Sequence, residues 1–493
     1  METENIDDIM KELDSSDFGE KDEVLDEIQE LDKKNKKNEE RVSFFETRDF
    51  IYEQVQNAVL AVDAVSALDQ KTGIFVKYNK KEDSWELVKK FKYQDKTYFP
   101  IIDEVFVKGG VTLPTQPEEY KSTKEITDLI RNFLVERVQL PIKPVNYEKF
   151  LPHLILFYWV YEKFPFIPYV QFVGGTGTGK TTAMETVGGL CYKAVDSTSS
   201  LTIASLFRIA TQWRGTMLID EFNGGGDNYM ELLSFLKAGV SNRLLYRIEG
   251  EKTKEIKAYI VKSPKMFTSE SPISDAGLQS RTIVIKMDKS TRPLPLYQLE
   301  EDFEECLHIR NKLLLWRLRH YNLIDLHQIK NGFEELRSFD KRVQQIITPI
   351  YYFSDEETKK DIIEFAKDQE EETLRSRRES PDGAIFEIIN DIWKDGRDVE
   401  IKDVCDQFNK EQKEKGYKTE YTEKKIGNIV RKILGFQTER AGHNKYYRVI
   451  RDENQLKSKQ SYYGIMTEFC DGVPTASVAS TATEAEVDDI YNI

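Results

Sequence analysis

The chain has 493 residues, 39% hydrophobic and 32% charged, with a net charge of −15 and four cysteines. That length supports two or three domains and at least one sizeable core. Cys191, Cys306, Cys405 and Cys470 form no CxxC pair, which argues against a disulfide framework or zinc site and fits a reducing compartment.

Positions 1–41 hold 16 acidic against 7 basic side chains, −9, and leave −6 for the rest. Local basic fields that hold nucleic acid are therefore not excluded, because screening limits each charge to about 10 Å. Aliphatic residues at 6, 9, 13, 24, 25, 28 and 31 allow short amphipathic helices, but the composition predicts a mostly disordered arm. The opening METENIDD has no basic stretch leading into an apolar one, so no signal peptide is expected. An α+β domain is expected over 42–145, with strands over 75–106 and a helix over 122–138. An apolar helix over 147–163 delivers the chain to a β-forming run at 167–173, and strand and helix signals alternate to about 287. That alternation predicts an α/β core over 146–295 with a mostly parallel sheet. A helical lid (296–353), a charged linker helix (354–380), a compact unit (381–452) and a disordered tail (453–493) follow. The longest apolar run, 154–161, has eight residues, against about 20 for a bilayer span. The expected location is cytoplasmic, without a membrane segment.

Gly174-Gly175-Thr176-Gly177-Thr178-Gly179-Lys180-Thr181 matches GxxxxGK[ST] at every fixed position and sits between a strand signal and a helix signal. Glycines let main-chain N–H groups turn inward around phosphates, and the helix N-terminus adds partial positive charge. Lys180 can reach the β- and γ-phosphates, the Thr181 hydroxyl can ligate Mg2+, and Thr182 follows at the helix start. Forty residues after Lys180, the apolar run 216–219 ends in Asp220-Glu221. Asp220 is placed to hold Mg2+ and Glu221 to polarise an attacking water as general base. Together these two elements predict a P-loop site for ATP and Mg2+.

Beyond Asp220, positions 243–248 and 255–261 read as a β-hairpin. Lys252 and Lys254 near its tip are candidates for nucleic-acid phosphates, although Glu249, Glu251 and Glu255 on the same hairpin fit a merely solvated turn. The segments PYVQFVGGTGTGKTT, GTMLIDE, SPKMFTSESPI and DAGLQSRTIVIKM, with the hairpin, resemble AAA+ type P-loop ATPases: the helicase-primase cores of plasmids, phages and archaeal viruses. The resemblance is specific over about 168–287. It implies an arginine finger at Arg281, completing a neighbouring subunit's site in a ring. It implies a polar sensor at Ser269 or Thr268, although Glu270 stands where related chains often carry Asn.

The unit at 381–452 shows three helical patterns and a hairpin, which reads as a winged helix-turn-helix. Positions 418–451 carry 9 basic against 3 acidic residues. Lys424, Lys425, Arg431 and Lys432 fall on or beside the third helix, and Arg440, His443 and Lys445 on the wing, so DNA binding is expected. Trp159, Trp213 and Trp316 are expected in cores. Arg317 and Arg319 read as surface ion pairs, or one of them as a second sensor.

The expectation is an α/β P-loop NTPase, AAA+ like, with a helical lid and a C-terminal winged helix-turn-helix. It would act as an oligomeric, DNA-directed ATPase of helicase type in replication, with the acidic arm or tail available to partners. An ATP-switched DNA-binding initiator or regulator, and a protein remodeller, are the alternatives.

Overall fold

A computed structural model of the chain describes residues 39–56, 73–143, 145–197, 202–222, 229–249, 255–273, 275–295, 300–414, 420–442 and 446–465. Two compact units result: Met1–Leu336 with Lys341–Phe365, and Arg337–Asp340 with Ala366–Ile493. Among the described residues no helix is long and apolar enough to cross a membrane.

The first unit opens with β1 (Glu39–Val42), β2 (Phe44–Glu46), β3 (Phe50–Gln56), β4 (Gly73–Asn79), β5 (Ser84–Val88), β6 (Phe91–Tyr93) and β7 (Lys96–Pro100). They form an antiparallel sheet β2-β3-β4-β5 and a smaller sheet β1-β7-β6. Tyr52, Phe75, Phe91 and Tyr98 are buried between them. Strand β1 begins at Glu39, inside the arm expected over 1–41, and pairs with β7 as an edge strand. Its outward Glu39 and Glu40 made it read as part of the acidic arm.

A buried ionic network joins the span 42–145, expected as an α+β domain, to the core. Glu53, 1% exposed, meets Lys193 at 2.6 Å and Arg317 at 3.0 Å. Arg317 also pairs with Glu162 at 2.8 Å, and the Tyr192 hydroxyl donates to Glu53 at 2.8 Å. Burial opposes the Arg317 charge, but Glu162, Tyr192 and Glu53 outweigh it and raise its pKa. Burial lowers the pKa of Lys193 in spite of Glu53. Arg317 is therefore no surface ion pair: it sits in the interior, where charges persist only when mutually compensated. Arg319 does pair at the surface, with Asp83 and Glu119, both at 2.9 Å.

Helices α1 (Thr123–Arg137) and α2 (Tyr147–Trp159) lead into the core. There β8 (Tyr169–Val173), α3 (Lys180–Gly188), β9 (Val195–Ser197), α4 (Ile203–Trp213), β10 (Met217–Ile219) and α5 (Tyr229–Gly239) alternate. The hairpin β11 (Leu244–Glu249) and β12 (Glu255–Ile260) interrupts the alternation before β13 (Lys265–Ser269), α6 (Ala276–Gln279) and β14 (Thr282–Lys286). The central sheet has the order β14-β8-β13-β10-β9, every neighbouring pair parallel. Each residue of β8 and β13 is buried, as in a parallel sheet covered on both faces. Helices α7 (Glu300–His320) and α8 (Lys341–Phe353) follow. Trp159, Trp213 and Trp316 are buried as expected.

The helix α9 (Glu356–Glu379) begins in the first unit's span and ends in the second's. The second unit contains α10 (Pro381–Lys394), β15 (Val399–Glu400), α11 (Ile401–Glu414), α12 (Glu423–Lys432), β16 (Thr438–Ala441), β17 (Tyr446–Val449) and α13 (Glu453–Tyr463). Ser380 and Thr422 cap α10 and α12 by accepting from the Gly383 and Lys425 N–H groups. The antiparallel order is β15-β17-β16, and Phe386, Trp393, Phe408, Ile426 and Phe436 fill the core. The tail expected to start at 453 instead contributes α13. Asp452 caps it, Leu456 and Tyr463 are buried, and the Tyr463 hydroxyl donates to Asp382 at 2.7 Å. Two anchors in an otherwise polar helix are too few to reveal it by periodicity.

Candidate nucleotide-binding site

The loop 174–179 leaves the buried strand β8 and ends at the N-terminus of α3. Gly177 and Gly179 adopt φ of +78° and +80°, a region closed to most side chains, so glycine is needed there for the backbone alone. No atom lies within 4 Å of a Cβ built on Gly175, Gly177 or Gly179, so the space beside these three residues is open. A Cβ on Gly174 would meet Thr178 Oγ1 at 2.5 Å and the Met287 carbonyl at 2.6 Å. The Thr178 hydroxyl and the Lys180 ammonium donate to the Gly175 carbonyl at 2.9 and 3.4 Å. Thr176 is exposed on the rim, and the Thr182 carbonyl accepts from Thr186 within α3.

Asp220 follows β10, the second strand from β8, and arrives beside this loop. The Thr181 hydroxyl donates to Asp220 Oδ1 at 3.1 Å and the Thr268 hydroxyl donates to the same oxygen at 2.5 Å. The Glu221 N–H donates to Thr268 Oγ1 at 2.9 Å, and the Phe222 N–H to the Thr268 carbonyl at 2.7 Å. These bonds hold Glu221 at φ +51°, a left-handed conformation costing roughly 1 kcal/mol or more, with its carboxylate exposed. Thr181 and Asp220 supply a hydroxyl and a carboxylate, hard oxygen donors of the kind Mg2+ shares with phosphate oxygens. Among the described residues no group of three or more His, Cys, Asp and Glu could hold a metal, so any cation here would lean on Thr181, Asp220 and the phosphates.

Of the two candidate sensors, Ser269 and Thr268, Ser269 bonds away from Asp220. Its hydroxyl donates to the Ser271 carbonyl at 2.8 Å and accepts from Gln171 Nε2 at 2.6 Å, and the side to Asp220 is taken by Thr268. Successive strand residues face opposite neighbours, so a one-residue choice decides which hydroxyl reaches the carboxylate. Asp196, the middle residue of β9, was not singled out by sequence. Burial and Asp220 raise its pKa, which makes it a third carboxylate at this end of the sheet.

Arg281 stands at the other end. It immediately precedes β14, whose Thr282 pairs with Tyr169 at the start of β8, while Lys286 pairs with Val173 next to the loop. Four residues of strand, about 13 Å, separate it from its own loop. Its guanidinium donates to the Gly277 carbonyl and lines a small cavity with Arg342, Pro168 and Ile346. Burial, then Arg342 and Arg243, lower its pKa.

In the second unit, Lys424, Lys425, Arg431, Lys432 and Arg440 are all exposed. Lys425 lies 3.3 Å over the Tyr421 ring, Arg431 bonds Thr438 Oγ1 at 3.2 Å, and Arg440 bonds the Tyr447 hydroxyl at 3.0 Å. Lys252, Lys254, His443 and Lys445 lie outside the described residues.

No protein-family model and no curated protein matches the chain. Solved structures similar to it include an A-form apo structure of the C-terminal region of NrS-1, at 14% identity over 76% of this chain and 83% of that one, TM-score 0.35. A further apo structure of the same region aligns at 12% identity over 81% and 95%, TM-score 0.36. A full-length MCM homolog from Methanopyrus kandleri aligns at 11% identity over 67% and 75%, TM-score 0.35. At these scores the likeness assigns no function, and what the chain shows by itself is a mixed α/β fold whose five-stranded parallel sheet fits a P-loop-like core.

Proposed function

We propose that the chain is an AAA+ type ATPase that couples hydrolysis to movement or opening of DNA, working as a head-to-tail homo-oligomeric ring of the replicative helicase kind. The observation that carries the reading is the meeting of Thr181 and Asp220 at 3.1 Å beneath the glycine loop. A triphosphate seated on the N–H groups of 174–181 presents its β- and γ-oxygens to Lys180 and to a cation held by Thr181 and Asp220. Thr181 and Asp220 would hold Mg2+, which would supply neutralisation of phosphate charge there. Glu221 orients and deprotonates the attacking water, and Thr268 fixes Asp220 and the Glu221 backbone together. Arg281, too far from its own loop, serves the phosphate of a neighbouring copy. The second unit is read as a winged helix-turn-helix that grips DNA phosphates through α12 and Arg440.

ATP turnover with and without single-stranded and duplex DNA tests this. Lys180→Ala abolishes turnover, and Arg281→Ala abolishes it alone but is rescued when mixed with Lys180→Ala, since each copy then supplies what the other lacks. Turnover indifferent to DNA, with no strand displacement, overturns the motor reading. The exposed basic surface of α12 favours one second reading, an ATP-switched initiator that holds a DNA site without unwinding; slow turnover with a discrete footprint identifies it.

A further inference from the structure

The two-stranded ribbon of β11 and β12 has unlike faces. In an antiparallel pair, directly opposed residues share a face, as do residues two apart. Leu244 opposite Ile260, Tyr246 opposite Ala258 and Ile248 opposite Ile256 therefore form one face. All six are exposed, with Tyr246 at 66%, Ile248 at 69% and Ile256 at 72%. The reverse face is committed to the chain's own core. Tyr259 is buried with its ring 5.5 Å from Phe207, and Arg247 lies over the same ring while pairing with Glu231 at 2.8 Å. Single exposed apolar residues are ordinary, whereas a continuous strip about 17 Å long marks a contact surface. A two-stranded ribbon also gains little stability of its own without backing on its apolar side.

Charge identifies the occupant. The loop end of the central sheet carries the carboxylates of Asp196, Asp220 and Glu221. The ribbon springs from the opposite end: the Val240 carbonyl accepts from Ile167 before β8, and β12 returns to the start of β13. That end carries Arg281 with Arg342 and Arg243 near enough to depress its pKa, and Arg243 directly precedes Leu244. Opposite charges on the two ends of one sheet favour head-to-tail pairing of identical chains, a heterologous contact that can close into a ring. We infer that the apolar face of the β11–β12 ribbon docks on a second copy of this chain as part of that contact. The inference rests on the oligomeric reading above and names its surface. Nucleic acid is the poorer occupant for this face, because none of its six side chains is basic and phosphate binding draws on Lys and Arg.

Sedimentation velocity of the full chain over a concentration series, with Mg2+ and a slowly hydrolysed ATP analogue, tests it. The variants are Tyr246→Lys with Ile256→Lys on the apolar face, and Glu255→Lys on the reverse face as control. Wild type and control assemble alike, while the double variant needs at least tenfold more protein to assemble, with an unchanged melting temperature. A double variant that assembles as wild type does, or a wild type monomeric throughout, overturns the inference. So does a double variant whose defect is confined to binding single-stranded oligothymidylate, which would make the face a nucleic-acid surface. ATP turnover of the same proteins, measured with ATP in place of the analogue, separates the two readings. Assembly through the ribbon without turnover removes the motor and keeps the docking face; turnover with ribbon-independent assembly does the reverse.

Discussion

Replacing Lys265 with Met should abolish a pH dependence of stability that the wild type carries. Lys265 is wholly buried at the start of β13, between the Tyr169 and Phe235 rings, and its ammonium donates to the Val261 and Ser263 carbonyls at 2.9 and 3.1 Å and to Ser263 Oγ at 3.2 Å. Burial pushes its pKa from 10.5 down to about 7. The unfolded chain thus holds this proton more firmly than the folded one. The penalty for burying the charge is complete below pH 7, shrinks as pH rises above it, and is gone above 10.5. At about 1.4 kcal/mol per pH unit, and with half the folded molecules already neutral at pH 7, stability should rise by about 2 kcal/mol between pH 7 and 9 from this group alone. Lys265→Met keeps the volume but abandons three acceptors, so its absolute stability mixes two effects. The difference in pH slope does not. Urea unfolding at pH 7 and 9 would measure it, because other groups titrate alike in both proteins. Equal slopes in wild type and Lys265→Met would refute the claim that the amine sheds its proton on folding.

Three further outcomes are expected. Arg317→Leu leaves Glu53 and Glu162 without their shared cation and should cost about 3–5 kcal/mol in denaturant unfolding. Thr268→Val keeps the shape of β13 but frees Asp220 and the Glu221 N–H from their common hydroxyl; ATP turnover should fall about 10- to 100-fold, an effect of about 1.4–2.7 kcal/mol, with nucleotide affinity, read by calorimetry, changing far less. Thr422→Ala removes the cap of α12 and should destabilise the second unit by about 1 kcal/mol, lowering its melting temperature without touching turnover in the absence of DNA.

The glycine-rich loop between β8 and α3 was legible because its backbone forces residue types: glycine where φ is positive at 177 and 179. The order of the central sheet was not, since the sequence shows that strands alternate with helices but not that β8 lies between β13 and β14. Thr268 and Ser269 were indistinguishable along the chain for the same reason: strand register decides which side each faces. The network around Glu53 was out of reach altogether. Its members, Glu53, Glu162, Lys193 and Arg317, lie up to 264 positions apart, and each alone looks like an ordinary surface charge. The six-residue apolar face of the ribbon follows from alternation in 244–248 and 256–260, yet only the packing of Tyr259 and Arg247 tells which face is left in water.

That network sets where the chain can be cut. A fragment starting at residue 146 would keep the entire glycine-rich loop and both acids, and would look by motif like a complete catalytic module. It would also have discarded Glu53, leaving Lys193 without its ion-pair partner and Arg317 with Glu162 alone. Such a fragment is expected to come out insoluble or unfolded for a reason unconnected with nucleotide chemistry, and the shortest chain that can be trusted to fold must reach back through β3.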